Sequence, residues 1–274
     1  MNETPAPQYQ PPQFTQTPPQ SVRVAASFVK PYVMYVIFGL TVCAYLLQLT
    51  GKYLLPLVSS SLTSALVNSY GTSDFALVIG AKINTLIRLG QIWRLVTPVF
   101  LHGSLLHIGF NMYALFVYGR SLESRYGHGR FFLLYFLSAY AGNVLSFLLT
   151  PNVSVGASTA IFGLIGAEAV FHIQNRKLLG KQSSQALWNL FYFAAINLFI
   201  GFTTTGVDNW GHIGGLLGGL LFAWFGGPRW KLEGLYPALQ LVDEREGRGW
   251  LQGTLIVLLC FLPLTALGWF WIAQ

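Results

Sequence analysis

Ser158 stands two places after Gly156 in the stretch GASTAIFG, at the start of a long apolar run, and His212 opens a second one, GHIGGLLGGLLFAWFGG. A third stretch, HGSLLHIGFN, supplies His102, His107 and Asn111. A serine and a histidine within reach of each other can do acyl chemistry. The neutral imidazole takes the hydroxyl proton as the oxygen attacks a carbonyl, then returns it to the leaving amine. At the first turn of a helix, free backbone N–H groups and the dipole favour negative charge; the Asn111 amide and His107 imidazole add further donors for a developing oxyanion. His107 and Asn111, four apart, share one side of a helix. No acidic third member is visible: Asp208 precedes His212 by one turn but falls in a loop, and Glu168 lies about 15 Å down the helix from Ser158. The expectation is a dyad. His102, His107 and His212 lack an Asp, Glu or Cys to complete a ligand set, so neither a metal nor another cofactor is expected.

The elements that hold these residues belong to a membrane. Of 274 residues, 53% are hydrophobic and 9% charged, whereas a soluble domain is nearer one quarter charged. The formal charge of +7 is spread in short clusters between apolar blocks, which reads as a topology signal; no nucleic-acid partner is expected. Cys43 and Cys260 both fall inside apolar blocks and suggest neither a disulfide scaffold nor a metal site. Residues 1–28, rich in Pro and Gln, read as a disordered cytoplasmic tail without the order of features of a cleaved secretory signal, so the first apolar segment is expected to be retained.

Apolar blocks fall at about 32–49, 96–118, 130–149, 156–173, 187–202, 211–227 and 251–272, against the roughly 20 residues that cross a bilayer. They predict an all-α polytopic membrane protein with seven helices. The expected division is the tail, a six-helix core over 29–228 with an interfacial first loop at 50–95, a cytoplasmic linker over 229–250 and a seventh helix over 251–274. Lys and Arg cluster before the first block and after the second, fourth and sixth, while the loops at 150–155 and 203–210 have none. The positive-inside rule then puts the N-terminus in the cytoplasm and the C-terminus outside. Lys52, Lys82, Arg88 and Arg94 in the first loop dissent from this pattern. With this topology the second, fourth and sixth blocks all run inward, so the polar candidates share the outer face at nearly one depth.

A serine alone in a membrane helix commonly bonds its own i−4 carbonyl, and a glycine stripe alone shows only tight packing. The convergence of three distant segments carries the assignment. Gly215 and Gly219 fall on the His212 side of the sixth block, a ridge that admits a neighbouring backbone. Phe162 lies one turn below Ser158 and can floor an imidazole, with Gly156, Ala160, Gly163 and Ala167 on the opposite side.

These motifs closely resemble the rhomboid family of intramembrane serine proteases, over WRLVTPVFLHGSLLHIGFNMYALFVYGRSLESRYG, GASTAIFG and DNWGHIGGLLGG. The resemblance implies a rhomboid-like six-helix core plus one C-terminal helix, with Ser158 as nucleophile, His212 as base, and Asn111, His107 and His102 on the oxyanion side. It implies structural roles for Trp93, Arg94 and Glu123. It also implies cleavage of single-span membrane protein substrates near the top of their transmembrane segments after a small residue, with no cofactor. The expected location is a bacterial plasma membrane. Thr159 stands where the family commonly has Gly and is expected to narrow the oxyanion or substrate channel; Phe162 stands where some members have Tyr. A noncatalytic relative that escorts transmembrane segments would lack Ser158 or His212. A channel would extend its polar residues through the midplane, where only Glu168 continues inward.

Overall fold

The computed structural model describes residues 28–235 and 238–270, and it is predominantly helical. In chain order the helices used below are α1 (Tyr32–Leu49), α2 (Ser60–Tyr70), α3 (Phe75–Gly80), α4 (Leu105–Ala114), α5 (His128–Leu149), α6 (Ser158–Gln174), α7 (Lys181–Thr203), α8 (Asn209–Gly226) and α9 (Gly249–Phe270), with short helical segments at Leu55–Val58, Asn84–Arg88, Arg120–Tyr126 and Arg176–Leu179 between them. Among the described residues, four helices are long and apolar enough to cross a bilayer: Tyr32–Val58, which is α1 continued through a π-helical turn, and α5, α7 and α9. The remaining three of the seven expected, α4, α6 and α8, are those that carry the polar candidates. α6 is enclosed by α5, α7 and α8, and every residue from Thr159 to Glu168 is buried. A helix wrapped in protein can be short and carry polar groups because it presents little surface to lipid.

The boundaries differ from the apolar pattern for local reasons. The block at 96–118 becomes helical only at Leu105, because Pro98 sits in a 3-10 turn and Ser104 caps the new helix through His107 N–H. α7 begins at Lys181, six residues early, where Gly180 (φ +58) separates it from the preceding turn and the polar run KQSSQ joins the helix. The linker at 229–250 holds an antiparallel hairpin, β1 (Trp230–Glu233) and β2 (Gln240–Asp243), paired Trp230↔Asp243 through Glu233↔Gln240. Nothing in its short, mixed strands announces it. Of the expected tail only Phe28 lies within the described residues, and the last four residues of the chain lie outside them.

The first loop is organised by its basic residues, which explains their dissent from the charge pattern. Lys82 is fully buried and donates to the carbonyls of Ser146 (3.4 Å), Thr150 (3.1 Å) and Asn152 (2.8 Å) at the end of α5. Burial lowers its pKa to about 8, against the pull of Asp208. Arg94 bonds the carbonyls of Val78 and Ala81 at the end of α3, and Arg88 Nε reaches Gly268 O near the end of α9 at 3.5 Å. These cations serve helix C-termini, whose last carbonyls lack intrahelical partners and carry partial negative charge.

Glycines bring α8 against its neighbours. A methyl group at Gly219 would stand 2.1 Å from Gly163 O, and one at Gly215 would stand 1.9 Å from Thr159 O. On its other sides, Gly214 lies against Ala141 O of α5 and Gly226 against Gly249 O of α9. Backbone thus touches backbone where side chains normally intervene. Far from Ser158 along the chain, Glu123 accepts from Val33 N (2.9 Å) and Met34 N (2.7 Å), capping α1 from another segment, and it meets His128 Nδ1 at 2.5 Å. Arg125 Nη2 pairs with both Glu168 oxygens at 2.7 and 2.5 Å, tying the chain after α4 to α6.

Two stability outcomes follow. Gly219→Ala is expected to force α6 and α8 apart and destabilise by about 3 kcal/mol, the upper range for overpacking. Lys82→Met removes the charged donor shared by the Ser146, Thr150 and Asn152 carbonyls, of which Asn152 O loses its partner while Ser146 O keeps Thr150 N and Thr150 O keeps Asn84 Nδ2, and is expected to cost about 2 kcal/mol. Both are read as lowered Tm in detergent micelles; an unchanged Tm in either variant contradicts the corresponding contact.

Candidate active site

His212 enters the site because α8 is capped just before it. Asp208 Oδ1 accepts from Gly211 N at 2.8 Å, and the backbone N–H of His212 bonds Asp208 O at 3.1 Å. The other oxygen, Oδ2, accepts from Ser146 Oγ of α5 at 2.5 Å. An N-cap carboxylate satisfies free N–H groups and complements the helix dipole. Here it also holds the start of α8 against α5. Asp208 is therefore occupied as a cap, and His212 Nδ1 has no hydrogen-bond partner.

Ser158 is the first residue of α6 and is half-buried, with its Oγ 2.9 Å from His212 Nε2. Phe162, one turn further on, stacks under the imidazole with ring centroids 4.4 Å apart and planes 8° from parallel. The ring face fixes the imidazole plane, so Nε2 points at the hydroxyl. Glu168 does not join this pair, being held by Arg125.

The segment before α6 is shaped by Gly156, whose φ of +133 suits glycine and whose N–H bonds Pro98 O at 2.9 Å. A Cβ there would meet the His107 imidazole at 2.8 Å and stand 3.4 Å from Ser158 Oγ. Gly156 thus precedes the helix and lines the serine side, rather than the opposite face of α6 where helical spacing alone would put it. His107 packs edge-on to His102, centroids 5.0 Å apart, and Ala157 N lies 3.4 Å from His102 Nε2. Asn111 is buried, and its Nδ2 donates to His107 O at 2.9 Å. Among the described residues no group of three or more His, Cys, Asp or Glu is arranged to hold a metal ion.

Thr159 departs from its expected place. Its side chain is buried between α5 and α8, where it contacts Gly142 and Gly211, with Oγ1 unpartnered. The residue after the helix's first position points about 100° away from it, and Gly142 vacates the space. Thr159 therefore fills the contact between α5 and α8. Trp93 Nε1 bonds Ile79 O at 3.0 Å, and Arg94 Nε bonds Gln91 Oε1 at 2.7 Å, both folding the first loop on itself. Gly163, Gly215 and Gly219 lie in the α6–α8 contact. Two residues that sequence reasoning passed over are Gln48, buried against His102, and Asp74, buried against Gln48. Gln48 interrupts an apolar block, which was the available signal.

A model of the Rhomboid domain matches residues 89–229. The chain is 42% identical over 158 residues to Rhomboid protease GluP of Bacillus subtilis (strain 168), covering 57% of this chain and 31% of that protein. It is 36% identical over 161 residues to RHOMBOID-like protein 9, chloroplastic, of Arabidopsis thaliana, covering 58% and 36%. To Rhomboid-like protease 3 of Toxoplasma gondii it is 38% identical over 162 residues, covering 58% and 61%. The matched part is thus about a third of the first two relatives and somewhat over half of the third. With its multi-pass helical architecture and a domain match over half its length, the chain belongs to the rhomboid family.

Proposed function

We propose that the protein is an intramembrane serine endopeptidase that cleaves membrane proteins in or near their transmembrane segments by a Ser158–His212 dyad. The single observation that carries this reading is the 2.9 Å approach of His212 Nε2 to Ser158 Oγ inside a helical membrane protein. Relatives named as rhomboid proteases add the reaction class.

In the reaction, His212 Nε2 removes the Ser158 proton as Oγ attacks the scissile carbonyl carbon. The carbonyl oxygen becomes an oxyanion at the serine, where the N–H groups opening α6, the His107 ring and the Asn111 amide are the candidate donors. Protonated His212 then gives its proton to the leaving amine nitrogen, and the C–N bond breaks to leave an acyl-Ser158 ester. Water, deprotonated by the same imidazole, attacks the ester and restores Ser158. Asn111 supports this geometry by holding the backbone of His107. Phe162 keeps the imidazole plane through both proton transfers.

In the accompanying topology, α4 with its continuation through the π-helical turn Leu115–Gly119 and the helix Arg120–Tyr126, together with α6 and α8, cross the bilayer alongside the four longer helices, in the six-plus-one arrangement. The N-terminus is cytoplasmic and the site opens near the outer face. Residues 29–228 form the catalytic core, and the tail and the linker lie on the cytoplasmic side. Natural substrates are single-span proteins whose helix unwinds locally, because a helical carbonyl is shielded from attack.

Purified protein in liposomes with a panel of single-span substrates is expected to cleave them, and Ser158→Ala and His212→Ala are each expected to reduce kcat by at least 10³-fold. Cleavage retained in Ser158→Ala removes the proposed nucleophile. Binding without cleavage in every form favours an escort. Phe162→Leu, which keeps an apolar contact but removes the stacked ring, is expected to lower kcat about tenfold with KM unchanged; equal kcat in wild type and variant contradicts the stacking role.

A further inference from the structure

His102 lies in a connecting segment between a 3-10 turn and α4, without a helical or strand neighbour for its backbone. Its partner comes from α1, in the side chain of Gln48. Gln48 Oε1 accepts from His102 N at 2.9 Å, and Gln48 Nε2 donates to His102 O at 3.2 Å. One carboxamide thereby takes both polar groups of one peptide residue, as a neighbouring strand would. Gln48 Nε2 also donates to Asp74 Oδ2 at 3.0 Å. These three partners admit only one orientation of the amide, since a flip would set N–H against N–H and oxygen against two acceptors.

Asp74 is itself fixed. Its Oδ1 accepts from Ala76 N (3.0 Å) and Leu77 N (3.1 Å) and caps α3. Gln48, Asp74 and His102 are 3%, 5% and 2% exposed, so water does not substitute for these bonds. α1 turns π-helical two residues later, where Gly51 packs on Phe75 of α3. A π-helical turn of this kind is frequent at functional sites.

What the clamp holds is the serine's surroundings. The His102 ring stands against His107 and within 3.4 Å of the N–H of Ala157, the residue before Ser158. We propose that Gln48, braced by Asp74, is a positioning residue for the oxyanion side of the site, fixing the peptide of His102 and through it His107 and the start of α6. This rests on the protease reading above. The Gln48 amide is committed to His102 and Asp74, so it acts on turnover through geometry and leaves substrate affinity alone.

The test compares Gln48→Glu, Gln48→Leu and Thr41→Ala in liposomes, measuring kcat, KM and Tm, with each protein assayed well below its own Tm. Gln48→Glu keeps the bond to His102 N but sets an oxygen against His102 O and Asp74, and it is the near-isosteric variant that folds if the leucine variant does not. Thr41 is buried on the same helix, bonds Ile37 O at 2.8 Å, and serves as the control for a loosened α1. Both Gln48 variants are expected to lose kcat about 10- to 100-fold, with KM within about twofold, while Thr41→Ala loses Tm and keeps kcat. Wild-type kcat in the Gln48 variants, or a loss that follows Tm equally in Thr41→Ala, overturns the clamp. Cleavage that survives Ser158→Ala in the same assay overturns the protease reading instead, and the clamp's catalytic role with it.

Discussion

Backbone contact between α6 and α8 is the constraint on which the rest of this structure depends. Ser158 and His212 sit on different helices, and a hydrogen bond between their short side chains requires the helix axes to approach closely. Gly215 and Gly219 allow this, since a methyl at either position would overlap the backbone of Thr159 or Gly163. In lipid, where apolar contact with a neighbouring helix offers little advantage over contact with acyl chains, such close approach is also a main source of association energy. The same packing that holds the bundle together therefore sets the geometry of the site.

A second constraint is that polar groups removed from water need partners. Much of the first loop answers it. Lys82, Arg88 and Arg94 bond carbonyls near the ends of α5, α9 and α3, and Asp208 and Glu123 cap α8 and α1. Several of these charges meet backbone from a distant segment, so each satisfies a helix end and cross-links the fold at once. The unpartnered atoms that remain include His212 Nδ1 and His102 Nδ1, both at the candidate site.

Much of the fold and the site was legible in the sequence, because a bilayer makes every polar interruption of an apolar block informative. Block order and charge point to Ser158, His212 and the His102–Asn111 stretch converging, and the structure sets Ser158 Oγ 2.9 Å from His212 Nε2 with Phe162 beneath the imidazole as helical spacing suggests. What stayed hidden depends on contacts that spacing does not encode. Gly156 lies outside the helix because its φ is positive, which no face analysis detects. Thr159 fills space vacated by Gly142, a residue of another helix. Lys82, Arg88 and Arg94 of the first loop contradict the topology signal until their carbonyl partners are seen, and Gln48 looks like a lone polar residue in α1. The hairpin at 230–243 has too few residues and too little alternation to be read in advance.

Activation of the Ser158 hydroxyl by His212 is the step on which the proposed reaction rests. It is tested most directly by treating the folded protein in micelles with a small fluorophosphonate and mapping the adduct by mass spectrometry. The account predicts a single adduct on the peptide bearing Ser158, formed in wild type and nearly lost in His212→Ala protein of undiminished Tm. An adduct elsewhere, or labelling of Ser158 at the same rate without His212, would contradict it.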